Sequence, residues 1–450
     1  MSDAVQRDSG PPAAAPQRRL AFFYHPHSFS VFALREAARE ICELVWVIDS
    51  EIEGTETMVP MLRRMGTVVD LAGCSVGEGA DLISAECPDG ILTLKDSLMQ
   101  RTGALAELLG LPFHSPDVAQ RFTDKHVQRA VMRDAGIPGP GFWTVPDPGD
   151  ELAWESFAAD ARFPAVLKPR LGSEGSRDTV RVGSVEEVRD ACGQEDQADG
   201  AHAELVLEEY LGDRERSDND FADYVSVETI VSDGVISHLA VTGRFPTAEP
   251  FRESGFFIDA ELSDEDRRGA LELAEAAVRG LGVRIGCLHT EIKFTPDGPR
   301  VIELNGRIGG GVPEMLLDAT GVELLPIALR LALGESISFD APPPTNRVAY
   351  LLYVQSPVWM RTVTSVDGLK ELSADPAVSE LILNRGPGQN VHWREGNHGH
   401  VFSVRGVVAD HDALRAFERR VHDEVTIAGE GESDPVEDAG SGSARAFESL

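Results

Sequence analysis

The chain has 450 residues, enough for two or three domains with substantial cores, and its 42% apolar and 26% charged residues suit an ordinary globular protein. A net charge of −34 argues against general nucleic-acid binding, which calls for a basic footprint, and against attachment to anionic membrane surfaces. Five scattered cysteines without a C-x-x-C pair read as reduced thiols of a cytoplasmic protein. No apolar run approaches membrane-spanning length, and the start lacks a signal-peptide core.

Residues 1–18, rich in Pro and Ala, read as a disordered leader. From Arg19 the pattern alternates: strands at 20–24, 45–48, 67–71 and 90–94, helices at 30–44 and 59–65, as in a parallel α/β layer. No glycine-rich dinucleotide fingerprint follows the first strand, so this layer reads as a scaffold that contributes to a substrate pocket. A helix predicted over 116–135 contains Lys125 and stops at Gly136-Ile137-Pro138-Gly139-Pro140. The run 163–169 (FPAVLKP) reads as a strand with a single lysine, Lys168, followed by Gly172, Ser173, Gly175 and Ser176. Small residues after a strand lysine suit a flap that covers phosphate groups while the ammonium neutralises them; a plain hairpin loop has the same pattern.

The apolar strand at 205–211 can present backbone groups to an adenine ring, and the charged stretch 212–223 reads as a loop insertion. A hairpin spans 224–231 and 235–244, and an amphipathic helix covers 264–281. Pro342-Pro343-Pro344 marks a boundary before a tail with strands around 347–355, 379–384 and 400–408 and helices around 366–373 and 411–425. Its His392, His398 and His400 fit a polar turn better than a transition-metal site, because no thiolate or carboxylate cluster accompanies them. Residues 429–450, rich in Gly, Ser, Glu and Asp, read as disordered.

The most informative stretch is 286–311, GCLHTEIKFTPDGPRVIELNGRIGGG. Two runs alternate in polarity at period two around Thr295-Pro296-Asp297-Gly298-Pro299, which predicts a β-hairpin. Centring the turn near Asp297 sets Glu291 opposite Glu303 and His289 opposite Asn305, with Lys293 and Arg307 on the same face and Leu288, Ile292, Phe294, Ile302 and Leu304 toward a core. Facing carboxylates repel by about 3 kcal/mol at about 5 Å with an effective dielectric near 20. A hard divalent cation held by Glu291, Glu303 and the Asn305 oxygen would offset that; the simpler alternative is neutralisation by Lys293 and Arg307. Gly309, Gly310 and Gly311 precede a helix beginning near Pro313, a natural anion site.

In this order the motifs resemble the ATP-grasp superfamily over about residues 20–425, and the HTE and NGRIGGG wording is most similar to L-amino-acid and peptide ligases. The resemblance implies a mixed α/β and α+β fold: an N-terminal parallel α/β domain at 19–114, an ATP-grasp domain at 115–340 with a lid at about 140–212, and a C-terminal α+β subdomain at 341–428. It further implies that Lys125 and Lys168 contact ATP phosphates under a loop containing Ser173. Glu208, Glu209 and Leu211 would form the adenine hinge, the latter two through their backbone, with Glu228 toward the ribose. Glu291, Glu303 and Asn305 would hold Mg²⁺, usually two ions, with Mn²⁺ as a substitute. Arg307, with Gly309, Gly310 and Lys168, would stabilise the phosphorylated intermediate. The flap has fewer glycines than in biotin-dependent carboxylases and the sequence holds no Met-Lys-Met carrier segment, while the acidic 212–223 insertion departs from the common superfamily pattern.

The function so implied is an ATP-dependent carboxylate–amine ligase that forms an amide through an acyl phosphate and releases ADP and phosphate. A bicarbonate-phosphorylating enzyme of the carboxylase or carbamoyl-phosphate type, and a non-catalytic ATP-binding regulator, are the alternatives. Expected partners are small amino-acid or peptide substrates, with no nucleic acid and no membrane. Oligomeric state is open, with a homodimer among the options.

Overall fold

The structure, a computed structural model, describes residues 18–172, 174–195, 204–214 and 221–431. Of the expected disordered ends, residues 1–17 and 432–450 lie outside the described residues, as do Ser173 and positions 215–220 of the acidic stretch. Residues 429–431, expected in the disordered tail, instead close the strand Thr426–Gly431. The chain divides into two compact units, residues 1–113 with 325–335, and 114–324 with 336–450.

The first unit alternates β1 (Arg19–Phe23), α1 (Val31–Ala38), β2 (Glu43–Ile48), α2 (Thr55–Met65), β3 (Val68–Asp70), α3 (Val76–Ser84), β4 (Gly90–Leu92) and α4 (Asp96–Leu109). Its strands pair in parallel in the order β3-β2-β1-β4. Phe22, Val45, Trp46 and Val47 are fully buried, because helices cover both faces of such a sheet. The helix predicted over 30–44 ends at Ala38, and Glu43 and Leu44, expected in that helix, begin β2. Residues 325–335, which the sequence groups with the ATP-grasp domain, belong to this unit; Glu335 lies 3.1 Å from Arg18.

In the second unit the helix predicted over 116–135 is two, α5 (Pro116–Thr123) and α6 (Lys125–Asp134). Asp124 leaves helical geometry and caps α6 by accepting from the Val127 N–H. A four-stranded sheet follows, built from β5 (Phe142–Thr144), β6 (Ala165–Pro169), β7 (Val180–Val182) and β8 (Leu205–Glu209) in the order β5-β8-β6-β7. The flanking helices α7 (Glu151–Asp160) and α8 (Val185–Glu195) close a small core around Trp154, Phe157, Leu167 and Leu207.

The main sheet contains β9 (Tyr224–Ser232), β10 (Val235–Arg244), β11 (Gly255–Ile258), β12 (Gly286–Thr295) and β13 (Gly298–Asn305), with α9 (Asp264–Gly280) between β11 and β12 and α10 (Val312–Thr320) after β13. The tail supplies β14 (Val348–Val354), β15 (Met360–Asp367), β16 (Val378–Leu383), β17 (Phe402–Val408) and β18 (Thr426–Gly431). β14, β17 and β16 extend the main sheet to eight strands in the order β13-β12-β9-β10-β11-β14-β17-β16, while β15 pairs with β18 alone. Phe257, Tyr350, Leu352, Phe402, Val404 and Leu414 make the apolar core where the tail joins that sheet.

Candidate active site

The β12–β13 hairpin pairs in the expected register, His289 with Asn305 and Glu291 with Glu303. A bulge beyond Glu291 then pairs Ile292 with Val301, so Val301 is fully buried and Ile302, expected in the core, is only partly so. Helix α6 is docked on the hairpin by its inner face. Gln128 Nε2 donates to the Leu304 carbonyl at 2.9 Å, its Oε1 accepts from the Leu304 N–H at 3.0 Å, and Arg129 donates to the Ile302 carbonyl. Lys125, one turn earlier on that face, places Nζ 3.7 Å from Glu303 Oε1.

The neighbouring β6–β8 pair delivers a second buried ammonium. Lys168 Nζ lies 2.7 Å from Glu208 Oε2, and Arg129 Nε lies 3.0 Å from Glu208 Oε1. Burial favours neutral Glu208, but Arg129 and Lys168 overcome it and hold the carboxyl below its ordinary range. Burial lowers the Lys168 pKa, with Glu208 opposing. Arg170 grips Asp124 with two hydrogen bonds of 2.9 and 2.7 Å, and its carbonyl accepts from the Lys125 N–H, so the start of the post-Lys168 loop is fixed to the start of α6.

A second cluster lies across β9, β10 and β12. Glu228 accepts from Ser226 Oγ (2.7 Å), Thr242 Oγ1 (2.9 Å) and His289 Nδ1 (2.9 Å). Arg244 Nη2 is 3.0 Å from Ser226 Oγ and 3.3 Å from His289 Nε2, and its Nε is 3.3 Å from Glu253 Oε1. Burial alone would lower the His289 pKa, but Glu228, with help from Glu291, raises it to about 9. Glu291, 3.5 Å from His289 Nε2, is pushed up by burial and pulled down further by His289, Arg244 and Arg307, settling at about 2.

Of the two cations expected to neutralise the facing carboxylates, Lys293 pairs instead with Asp213 and Asp223, whereas Arg307 acts on Glu291 together with His289 and Arg244, and Lys125 stands at Glu303. Glu291, Glu303 and Asn305 remain a set of hard oxygen donors on one face, with Asn305 buried, and they fit a divalent cation that completes its shell with phosphate oxygens and water. Beyond the hairpin, a Cβ at Gly309 would lie 2.6 Å from His289 Nδ1, so only glycine permits this approach. Gly310 has open space where a side chain would stand, and Gly311 enters α10 at φ +71°.

The structure brings Lys125, Lys168, Glu208 and Glu303 together, and groups Glu228 with His289 rather than with Glu208, Glu209 and Leu211. The Glu209 side chain accepts from the Gly141 N–H at 2.9 Å and from Arg300 at 3.2 Å, and Leu211 follows the end of β8. Arg307 donates to the Ile308 carbonyl, and its charge acts on Glu291 and Glu253. Gln128 and Arg129 were not singled out from the sequence. They could have been: with Lys125 they put three polar residues at the i, i+3 and i+4 positions of a helix that must bury one face.

The architecture is that of the ATP-grasp fold. The solved L-amino acid ligase from Bacillus licheniformis superposes with a TM-score of 0.71 over 92% of this chain and 99% of that one, at 21% identity. The chain matches no family model. Among curated proteins it is 28% identical to uncharacterized protein y4rH of Sinorhizobium fredii over 310 residues, 66% of this chain and 59% of that protein. It is 27% identical to carnosine synthase 1 of Gallus gallus over 289 residues, 60% and 30% of the two chains. Alanine–anticapsin ligase of Bacillus subtilis matches at 25% over 239 residues, 49% of each. The chain thus spans between about a third and three-fifths of these relatives.

Proposed function

We propose that this protein is an ATP-dependent carboxylate–amine ligase acting on small amino-acid or peptide substrates, forming an amide through an acyl phosphate with release of ADP and phosphate. The observation that carries the reading is the pairing of Glu291 with Glu303 across one hairpin, with Lys125 at Glu303 and Lys168 on the adjoining wall. Such a wall suits a polyphosphate, whose transfer depends on positioning and charge neutralisation more than on a protein nucleophile. The names of the matched ligases support the same class of substrate.

In this reading Lys125 and Lys168 bind phosphates, the backbone of Glu209 and Leu211 faces adenine, and Glu208 keeps Lys168 and Arg129 in place. Glu291, Glu303 and Asn305 would hold Mg²⁺, one ion or two, which when bound supplies further neutralisation of the phosphates. Arg307 and the Gly309 and Gly310 amides orient the acyl phosphate. The amine attacks the acyl carbon, the C–O bond to phosphate breaks, and the proton lost from nitrogen leaves to solvent.

The test is a hydroxylamine trap. Protein, ATP, Mg²⁺, hydroxylamine and a panel of amino acids and dipeptides are expected to give a hydroxamate and one ADP per hydroxamate. AMP and pyrophosphate would reject the mechanism, and turnover that required bicarbonate and no organic acid would place the protein among the bicarbonate-phosphorylating enzymes.

A further inference from the structure

Two tail side chains bond to Glu253: Gln355, whose Nε2 donates to the Glu253 carbonyl at 2.8 Å, and Asn397, in the short turn Trp393–Gly399. Asn397 Oδ1 accepts from the Glu253 N–H at 2.7 Å, and Asn397 Nδ2 donates to Glu253 Oε2 at 2.5 Å. The other oxygen of Glu253 faces Arg244, which reaches Ser226 and His289. On its far side the same residue meets the loop that follows Lys168. A Cβ on Gly175 would lie 3.2 Å from Asn397 Cβ, and a Cβ on Gly396 would lie 2.2 Å from the Gly175 carbonyl oxygen and 2.9 Å from the Arg177 nitrogen. Gly175 and Gly396 both have positive φ, 65° and 60°, so the two turns touch where only glycines allow it.

We propose that Asn397 is a positioning residue that joins the Gly175–Arg177 turn to the Arg244–Glu253–His289 cluster, so that seating of the turn and orientation of the Glu253 carboxylate occur together. A carboxamide suits both tasks, because it presents an acceptor to the Glu253 N–H and a donor to the Glu253 carboxylate. An aspartate would keep the first bond and set a second negative charge against Glu253; an alanine would take the acceptor from the Glu253 N–H and the donor from its half-buried carboxylate. The functional consequence rests on the ligase reading: a nucleotide that seats the turn strengthens the hold on the acid or amine beside Glu253, and a bound acid or amine strengthens nucleotide binding by the same factor.

The test has two arms on the full chain. The first follows trypsin cleavage after Arg177 without nucleotide, with cleavage after Arg189 in α8 as the internal control. Asn397→Ala and Asn397→Asp are expected to speed cleavage at Arg177 by at least about fivefold with Arg189 unchanged, the scale of a modest coupling. The double variant Asn397→Asp/Glu253→Gln, which reverses donor and acceptor, is expected to restore the wild-type rate. Wild-type cleavage in Asn397→Ala, or no restoration in the double variant, would overturn the proposal.

The second arm uses the amino acid that gives the most hydroxamate. Asn397→Asp is expected to raise its KM about tenfold with kcat within about threefold. An equal fall in kcat with KM unchanged would overturn the coupling. Absence of hydroxamate from the wild-type protein would reject the ligase reading alone, since the trypsin arm decides the role of Asn397 without it.

Discussion

Two buried charge clusters meet on the β12–β13 hairpin, and they are balanced differently. The cluster built by α6, β6 and β8 sets three cations, Lys125, Arg129 and Lys168, against two carboxylates, Glu208 and Glu303. The cluster across β9, β10 and β12 sets Arg244 and His289 against Glu228, Glu253 and Glu291, and reaches neutrality only with the charge of Arg307. Charges are costly to bury unpaired, so a surplus cation in a buried wall marks where an anionic ligand completes the structure. In the ligase reading proposed above, the first cluster takes the phosphates and the second a substrate of little net charge. One hairpin serves both because its polar face is shared between strands from each side.

The largest effect is expected where the clusters meet. Glu303→Gln should leave a folded protein whose ADP release falls by at least about a hundredfold, the scale of lost transition-state charge stabilisation; near-wild-type turnover, measured by coupled ADP assay, would remove Glu303 from the chemistry. A smaller effect is expected within the first cluster. Lys168→Met leaves Glu208 with one buried partner fewer and should cost about 3 kcal/mol in chemical denaturation. Adding Glu208→Gln should lower stability further, because buried Arg129 then loses its carboxylate, and should not recover ATP affinity. Wild-type ATP binding by the double variant, read by calorimetry, would break the comparison between the clusters.

The hairpin was legible because every cue is local: alternating polarity, a turn that includes Gly298 at φ +107°, and a register fixed by that turn. The bulge was not, because the pairing it shifts depends on which of Val301 and Ile302 the core of the second unit can bury. The parallel layer of the first unit was equally plain in its βα alternation, whereas the return of residues 325–335 to it depends on packing between segments more than two hundred residues apart. The Glu208 carboxylate illustrates the same limit. Its strand was visible, but its ion pairs with Lys168 and Arg129 come from two other elements. Asn397, in a turn that reads as merely polar, acquires its partners only through the fold of the tail.

The smallest effect expected is on stability against pH. His114 is buried beside Phe122 with Nε2 3.2 Å from the Gly306 carbonyl; burial lowers its pKa to about 4, against the opposing pull of that carbonyl. A base whose folded pKa lies below its unfolded value takes up its proton first in the unfolded chain as pH falls. Its contribution is therefore full above about pH 6.5 and is lost progressively toward about pH 4, amounting to about 2 kcal/mol by about pH 5. Thermal melts of His114→Leu should decline less than wild type between about pH 7 and about pH 5. Parallel curves for the two proteins would show that another group governs this range.

The central claim is that the acid is activated as an acyl phosphate, and the fate of its oxygen tests this most directly. A carboxylate substrate labelled with oxygen-18 is turned over with ATP and the amine, and the products are separated for mass spectrometry. One labelled oxygen per turnover is predicted in inorganic phosphate, with ADP unlabelled, because the bond broken on amine attack joins the acyl carbon to an oxygen the acid supplied. Label appearing in AMP, or phosphate formed without label while amide accumulates, would contradict the account.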